Sequence, residues 1–552
     1  MNGKKFAEKN KSKALIWLLK NSKPHILSLT ILTLLGIIIS VVSVLFALSS
    51  KNVIDAATGT IAKENLKPEI FNLIILLVLQ LVLDSSFSFI HVRILGNIKI
   101  NLKTKLFNTI LKKDWLSINN YHTGELLTRL NSDISLISTS VVDIVPSAAS
   151  LFSRIFLSLY VLFKLDMMFA LFCVCLGPVI LITAHLYRKQ FKTLHKLYQE
   201  SDGKTSSFMQ DALQNTLVIK SFGNENKILP YLKKLQDKNF RISIKRNNIS
   251  IAANILFFIT MTVGYYFALA YGAYKLSIGL MSFGTLTALL QLVGDSISPF
   301  KSVSSLLPKF YQTLASAERI IEIENIKNDD ERNISLDTDQ IYSEMKEIKF
   351  ENVSFSYNND KEVIKNLTLS VKKNEFVAVS GTSGMGKSTF LKLILGIIKP
   401  KSGLITIDDK YIVDKSLRKM FSYVPQGNMI LAGTIKDNIA FSDKEINLEK
   451  VIECAKIAQI YDVIVNLEHG FDTLLGEGGS GLSEGQIQRL AIARALYHDA
   501  DIILLDEATS ALDKETELNL LKSLKELNSK TLIIVTHRSE VMDFCDRIIS
   551  VK

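Results

Sequence analysis

The chain reads as a multi-domain protein, an all-α half of six transmembrane helices followed by an α/β domain. Three observations predict this. At 552 residues it is too long for one ordinary domain. Long apolar stretches crowd residues 1 to about 300 and stop after about 330. The later part carries G-x-x-x-x-G-K-S-T between a buried-strand pattern and an apolar helix pattern.

Apolar residues make up 48 % of the chain and the mean hydropathy is +0.23, high for a soluble protein. A net charge of +11 suits either nucleic acid or a membrane surface. The apolar stretches select the membrane, and no nucleic-acid partner is expected. The first 23 residues hold seven lysines and no secretory cleavage pattern. The apolar run after them is too long for a signal-peptide core, so a retained membrane helix is expected. The four cysteines form no C-x-x-C pair, which points to reduced thiols rather than a disulfide framework.

A spanning helix needs about 20 mostly apolar residues. Six segments meet or approach this, roughly 25–48, 70–92, 144–163, 167–187, 250–273 and 278–298. The intervals 93–143 and 188–249 are basic and amphipathic, and read as the same helices running on beyond the bilayer. Together with residues 1–23 they hold 27 lysines and arginines, against 5 in the short links on the other side. The positive-inside rule then makes the N-terminus and the C-terminal half cytoplasmic. Bends are expected near Asn119–Leu127 and Leu213–Asn226. Asp84, Arg154 and Asp295 stand out inside the apolar runs. Such residues face a bundle interior or a water-filled cavity. Counting 1.5 Å per residue puts Asp84 and Arg154 at about 20 and 14 Å from the outer boundary, which allows an Asp84–Arg154 pair. A cavity lining and an internal structural ion pair both stay open.

Residues 1–325 therefore form the membrane domain, 326–345 a polar linker and 346–552 the α/β domain. Phe350–Tyr357 alternates like a strand, and "NLTLSV" follows it. Gly381, Thr382, Ser383, Gly384, Met385, Gly386, Lys387, Ser388 and Thr389 spell a P-loop between the strand "FVAVS" and the helix "STFLKLILGII". In that context backbone N–H groups wrap phosphates, Lys387 reaches the β- and γ-phosphates, and Ser388 supplies an oxygen to Mg²⁺. A second buried strand ends at Asp506, the expected Mg²⁺ partner. Glu507 follows at the strand's C-terminal end, where open α/β sheets bind ligands and a carboxylate can polarise an attacking water. A third strand, "TLIIV", leads to His537, placed for a γ-phosphate contact. "GLSEGQIQRL" (Gly481–Leu490) has no chemistry of its own. Its S-x-x-Q spacing predicts a capping box between Ser483 and Gln486 at a helix start, which is also a ready anion site.

These motifs resemble those of ATP-binding cassette (ABC) transporters of the exporter type, and the resemblance covers nearly the whole chain. Leu482-Ser483-Glu484-Gly485-Gln486 is similar to the family signature L-S-G-G-Q, with Glu484 departing from the usual glycine. Tyr357 matches the aromatic residue that stacks on adenine, and Gln426 the glutamine that senses Mg²⁺. Ser510–Asp513 matches the loop coupling two ATP sites, and Gly476–Gly479 resembles the exporter loop before the signature. The two bends resemble coupling helices. The resemblance implies ATP and Mg²⁺ as cofactors, with Ser388, Gln426 and Asp506 managing the metal. It makes Glu507 the general base, supported by His537. It further implies two such chains closing head to tail, each ATP meeting the P-loop of one and Ser483, Gly485 and Gln486 of the other. A homodimer is favoured and a heterodimer is compatible.

The expected function is an ATP-driven exporter of a hydrophobic or amphipathic substrate, working in the lipid bilayer of the cell membrane. A dedicated lipid flippase or peptide exporter is the alternative. A nucleotide-sensing regulator without transport is the reading from another class, and the intact Glu507 argues against it. Glu484 is expected to turn away from the nucleotide.

Overall fold

The structure is a computed structural model. It describes residues 2–329, 336–357, 362–382, 386–427, 430–441, 443, 445–476, 479 and 481–551. Side chains are described outside 2–11, 176–189, 192, 195, 196, 253, 257, 297–305, 307 and 308. Of the P-loop, Ser383, Gly384 and Met385 lie outside the described residues, as do two residues of Gly476–Gly479. The chain divides into two compact units, Met1–Thr109 with Thr123–Asn325, and Ile110–His122 with Ile326–Lys552.

The first unit is helical throughout, as a lipid environment requires when it offers no partner to a free peptide group. Its long helices are Ile26–Ala57, Leu66–Leu111, Ile134–Leu165, Met167–Gln214, Glu225–Ser277 and Phe283–Glu324. Among the described residues, four stretches are long and apolar enough to cross a membrane: Ser12–Ala57, Lys63–Leu111, Thr123–Leu165 and Glu225–Ser277. They contain four of the six expected spans. The other two are 167–187, in helix Met167–Gln214, and 278–298, which enters helix Phe283–Glu324 only from residue 283; both run onto side chains outside the described set. The expected bends are present. A short helix Trp115–Asn119 precedes Thr123–Thr128, and Thr216–Ser221 is set off by breaks at Asn215 and Phe222.

Helices Ile134–Leu165 and Phe283–Glu324 run antiparallel and are joined by polar rungs. Asp133 accepts from Ser316 and Arg319, Thr313 donates to Ser140, Lys309 to Asp143, Arg154 to Asp295, and Ser296 to Ser158. Small residues let helix Ile26–Ala57 approach the same helix, where Ser40 Oγ lies 2.9 Å from Ser150 Oγ. One rung corrects the expectation from depth. Arg154 pairs with Asp295 at 2.7 Å and also donates to Ser43, while Asp84 is exposed on another helix. Depth along a helix fixes height but not azimuth, and the azimuth of Arg154 points at helix Phe283–Glu324.

The second unit is layered α/β. An antiparallel sheet has the order β2-β1-β4-β5, with β1 Glu347–Phe355, β2 Ile364–Lys372, β4 Ser402–Ile407 and β5 Tyr411–Ile412. A parallel sheet has the order β11-β3-β10-β9-β6, with β3 Phe376–Ser380, β6 Phe421–Val424, β9 Ile502–Asp506, β10 Thr531–Val535 and β11 Arg547–Ser550. Gly433–Thr434 (β7) and Leu474–Leu475 (β8) form a small ribbon. The three central parallel strands, β3, β10 and β9, are buried and mainly apolar on both faces, as strands covered on both sides must be. Phe376, Ala378, Ile503 and Leu505 enter one core, and Val377, Val379, Ile502 and Leu504 the other.

The segment predicted as linker carries helix Thr338–Glu344, capped by Asp337, with Ile341 and Tyr342 buried on the second core. Ile110–His122 also belongs to this unit. Asp114 N–H donates to Lys327 O, Lys113 Nζ to Ile326 O, and Lys392 Nζ sits 4.8 Å over the Trp115 ring.

Candidate functional site

Register in the parallel sheet brings the predicted residues together. Val379 of β3 pairs with Val535 of β10, and Val535 pairs with Asp506 of β9. The P-loop, Glu507 and His537 therefore leave the same edge of the sheet from three adjacent strands, at the C-terminal ends where such sheets bind ligands.

Gly386 opens helix Lys387–Ile394 at φ +92°. A side chain there would be strained, and its Cβ would lie 2.8 Å from Val363 Cγ1. Gly381 is equally confined, since a Cβ would meet Val551 O at 2.9 Å. The glycines thus hold the backbone close around the space that Lys387 borders. Lys387 is buried at 8 % exposure, donates to Gly381 O at 2.8 Å and stands 4.0 Å from the Glu507 carboxylate. Thr389 shares a hydrogen bond of 2.8 Å with the hydroxyl of Tyr357, a residue that is 41 % exposed and whose ring meets Phe355 edge to face. Thr382 is exposed.

Asp506 is 2 % exposed at the end of β9. Its Oδ2 accepts from Tyr423 Oη at 3.2 Å, while Oδ1 is buried with no hydrogen-bond partner among the described residues. Burial pushes its carboxyl above the usual range, and the hydroxyls of Ser388 and Tyr423 pull the other way. A buried, half-satisfied carboxylate beside a P-loop serine fits a divalent cation, which would supply the missing partner and favour the charged form.

Glu507 has φ +50°, a left-handed backbone unusual for a side chain with a Cβ. Its N–H donates to Val535 O, which pins the turn to the neighbouring strand. Gln426 Nε2 donates to Glu507 Oε2 at 2.7 Å, and His537 Nδ1 lies 3.8 Å from Oε1. One carboxylate is thus met by Lys387, Gln426 and His537. His537 itself is 63 % exposed, open to a further contact.

The signature helix is Glu484–Tyr497, and its start is the predicted capping box. Gln486 N–H donates to Ser483 Oγ at 3.3 Å, and Ser483 N–H to Gln486 Oε1 at 2.8 Å. Glu484 is exposed in the first turn. Gly485 is required by packing, because a Cβ would lie 2.7 Å from Ala511 O. Gln488 ties the same helix to the next loop, donating to Ser510 Oγ and accepting from Ala511 N–H. Sequence reading passed over Gln488 and Tyr423. Tyr423 was accessible through its alternation on "SYVPQ", three residues before Gln426.

Both halves of the chain are similar to known proteins. Residues 29–297 match the ABC transporter transmembrane region, and residues 364–510 match the ABC transporter family. The chain is 31 % identical over 475 residues to an ATP-dependent lipid A-core flippase of Desulfotalea psychrophila, covering 85 % of this chain and 82 % of the relative. It is 32 % identical over 446 residues to ABC transporter B family member 1 of Dictyostelium discoideum, covering 79 % of this chain and 48 % of the relative. Its fold matches a solved bacterial Atm1-family ABC exporter with ATP bound, at TM-score 0.79 and 23 % identity over 96 % of this chain and 94 % of that one. A transmembrane region and an ABC ATPase domain in a single chain make this protein a member of the ABC transporter family, a multi-pass membrane exporter driven by ATP hydrolysis.

Proposed function

We propose that the chain is one half of a dimeric exporter that moves an amphipathic lipid-like molecule across the membrane, with its ATPase unit and N-terminus in the cytoplasm. The observation that carries the catalytic part is the convergence of Lys387, Gln426 and His537 on the carboxylate of Glu507.

Lys387 donates to Gly381 O, and Gln426 donates to the Glu507 carboxylate. On ATP binding, Lys387 and the P-loop amides turn to the phosphates and Tyr357 covers the adenine. Ser388, Gln426 and Asp506 would hold Mg²⁺, which when bound neutralises charge on the phosphate oxygens. Glu507, released by Gln426, accepts the proton of the attacking water, and His537 supports the γ-phosphate. Positioning and charge stabilisation are what phosphoryl transfer chiefly asks of a protein.

The site is incomplete in one chain. Ser483, Gly485 and Gln486 form a capped helix start that would face the nucleotide of a second copy. The exposed apolar side chains of Leu217 and Phe222, at 82 % and 74 %, support a partner that covers the second bend. The substrate class is supported by the lipid A-core flippase relative.

The test is translocation of fluorescent lipids, peptides and drug-like amines in proteoliposomes, with Glu507→Gln as control. Lipid movement that needs ATP and stops in Glu507→Gln supports the reading. Peptide movement alone replaces lipid by peptide, and an ATPase that moves nothing favours the regulator.

A further inference from the structure

The N-terminal helix Asn2–Ser22 plays no part in the hydrolysis site, yet its described half is built in three sectors. Ala14 is fully buried, and Trp17, Leu18 and Asn21 are half-buried on the same side. Trp17 Nε1 donates to Glu324 Oε2 at 2.7 Å, and Lys105 Nζ donates to Asn21 Oδ1 at 2.8 Å. This side holds the helix against the end of helix Phe283–Glu324. The second sector is apolar and uncovered, with Leu15, Ile16 and Leu19 exposed at 40, 65 and 63 %. The third is basic. Lys13 and Lys20 are exposed seven residues apart, on one stripe of the helix.

An uncovered apolar strip flanked by lysines, directly before a membrane-spanning helix, is the composition of a helix lying in a bilayer interface. Residues 1–23 carry seven lysines and a single acidic residue, Glu8, so the charge selects the lipid. We infer that this helix is an anionic-phospholipid binding element, inserting Leu15, Ile16 and Leu19 among the acyl chains while Lys13 and Lys20 engage negatively charged headgroups. The inference rests on the cytoplasmic placement of the N-terminus proposed above. Because Trp17 and Lys105 tie the helix to Glu324, lipid capture bears on the end of the last helix of this unit. Each lysine near an anionic leaflet strengthens binding about 5-fold, so Lys13 and Lys20 together contribute about 25-fold.

The 552-residue chain has two tryptophans, Trp17 and Trp115. With both changed to Phe and Leu19→Trp added, the single indole reports the exposed strip. The protein is placed in nanodiscs of phosphatidylcholine with phosphatidylglycerol, one or the other brominated on its acyl chains at equal mole fraction. Stronger quenching by brominated phosphatidylglycerol is expected, equalised by Lys13→Gln with Lys20→Gln and kept by Lys13→Arg with Lys20→Arg. Equal quenching by both lipids in the lysine background, or quenching by neither, overturns the inference. ATPase activity in phosphatidylcholine alone verifies that each variant is folded. The readout is lipid contact in nanodiscs whose two leaflets are alike, so it stands or falls apart from substrate identity and from sidedness.

Discussion

Arg154→Met is the sharpest test of the membrane unit. It removes the guanidinium from a pair in which the Asp295 side chain is only 14 % exposed. At 2.7 Å and an effective dielectric of about 20, the attraction is about 6 kcal/mol before desolvation is counted. Arg154 is 38 % exposed, which discounts that figure. Breaking one side of a buried pair costs about 3–5 kcal/mol, because the remaining charge is stranded. With the discount, a loss of about 3 kcal/mol is expected for Arg154→Met. Arg154→Met with Asp295→Leu removes both charges and should recover most of it, as paired apolar replacements often do. Asp84→Asn is the control, since Asp84 is exposed and lies outside the pair. The assay is equilibrium unfolding of the four corners of the cycle in detergent micelles, with transport per folded molecule measured alongside. Stability effects that add within about 0.5 kcal/mol would refute the pairing. Loss of transport at unchanged stability would turn the pair from a structural brace into a cavity group.

Other outcomes are expected in the ATPase unit. Gly386→Ala combines φ +92° with a Cβ 2.8 Å from Val363 Cγ1, so binding of a fluorescent ATP analogue should weaken by about tenfold or more. Glu484→Gly should keep most ATPase activity and lose only about 0.3–1 kcal/mol of helix-dipole stabilisation, whereas Ser483→Arg should abolish phosphate release. A large rise in activity for Glu484→Gly would show that the carboxylate restrains hydrolysis. Burial pushes the thiols of Cys454 and Cys545 up to about 11 and about 12, from 9.0. Between pH 9 and 11 the unfolded chain releases these protons and the folded one keeps them, so stability falls as pH rises in that window. Replacing both cysteines by alanine should flatten this slope in denaturant titrations at pH 8, 9 and 10.

The P-loop, the strand ending at Asp506 and the capping box of Ser483 and Gln486 were legible because each is a local pattern. Strand alternation, glycine placement and S-x-x-Q spacing act within a few residues, and no distant contact is needed to read them. The sequence likewise determined that one half belongs in lipid, since only long apolar helices satisfy their peptide groups there. What faces what was a different matter. The partner of Arg154, the membership of Ile110–His122 in the ATPase unit and the hydrogen bond from Tyr423 to Asp506 join residues 83 to more than 200 positions apart. Such pairings depend on the azimuth of one helix against another and on the register of parallel strands, neither of which spacing along the chain encodes. Even Glu507, recognisable by its neighbour Asp506, owes its aim to a left-handed turn pinned by Val535 O, a constraint that exists only once β9 and β10 lie side by side.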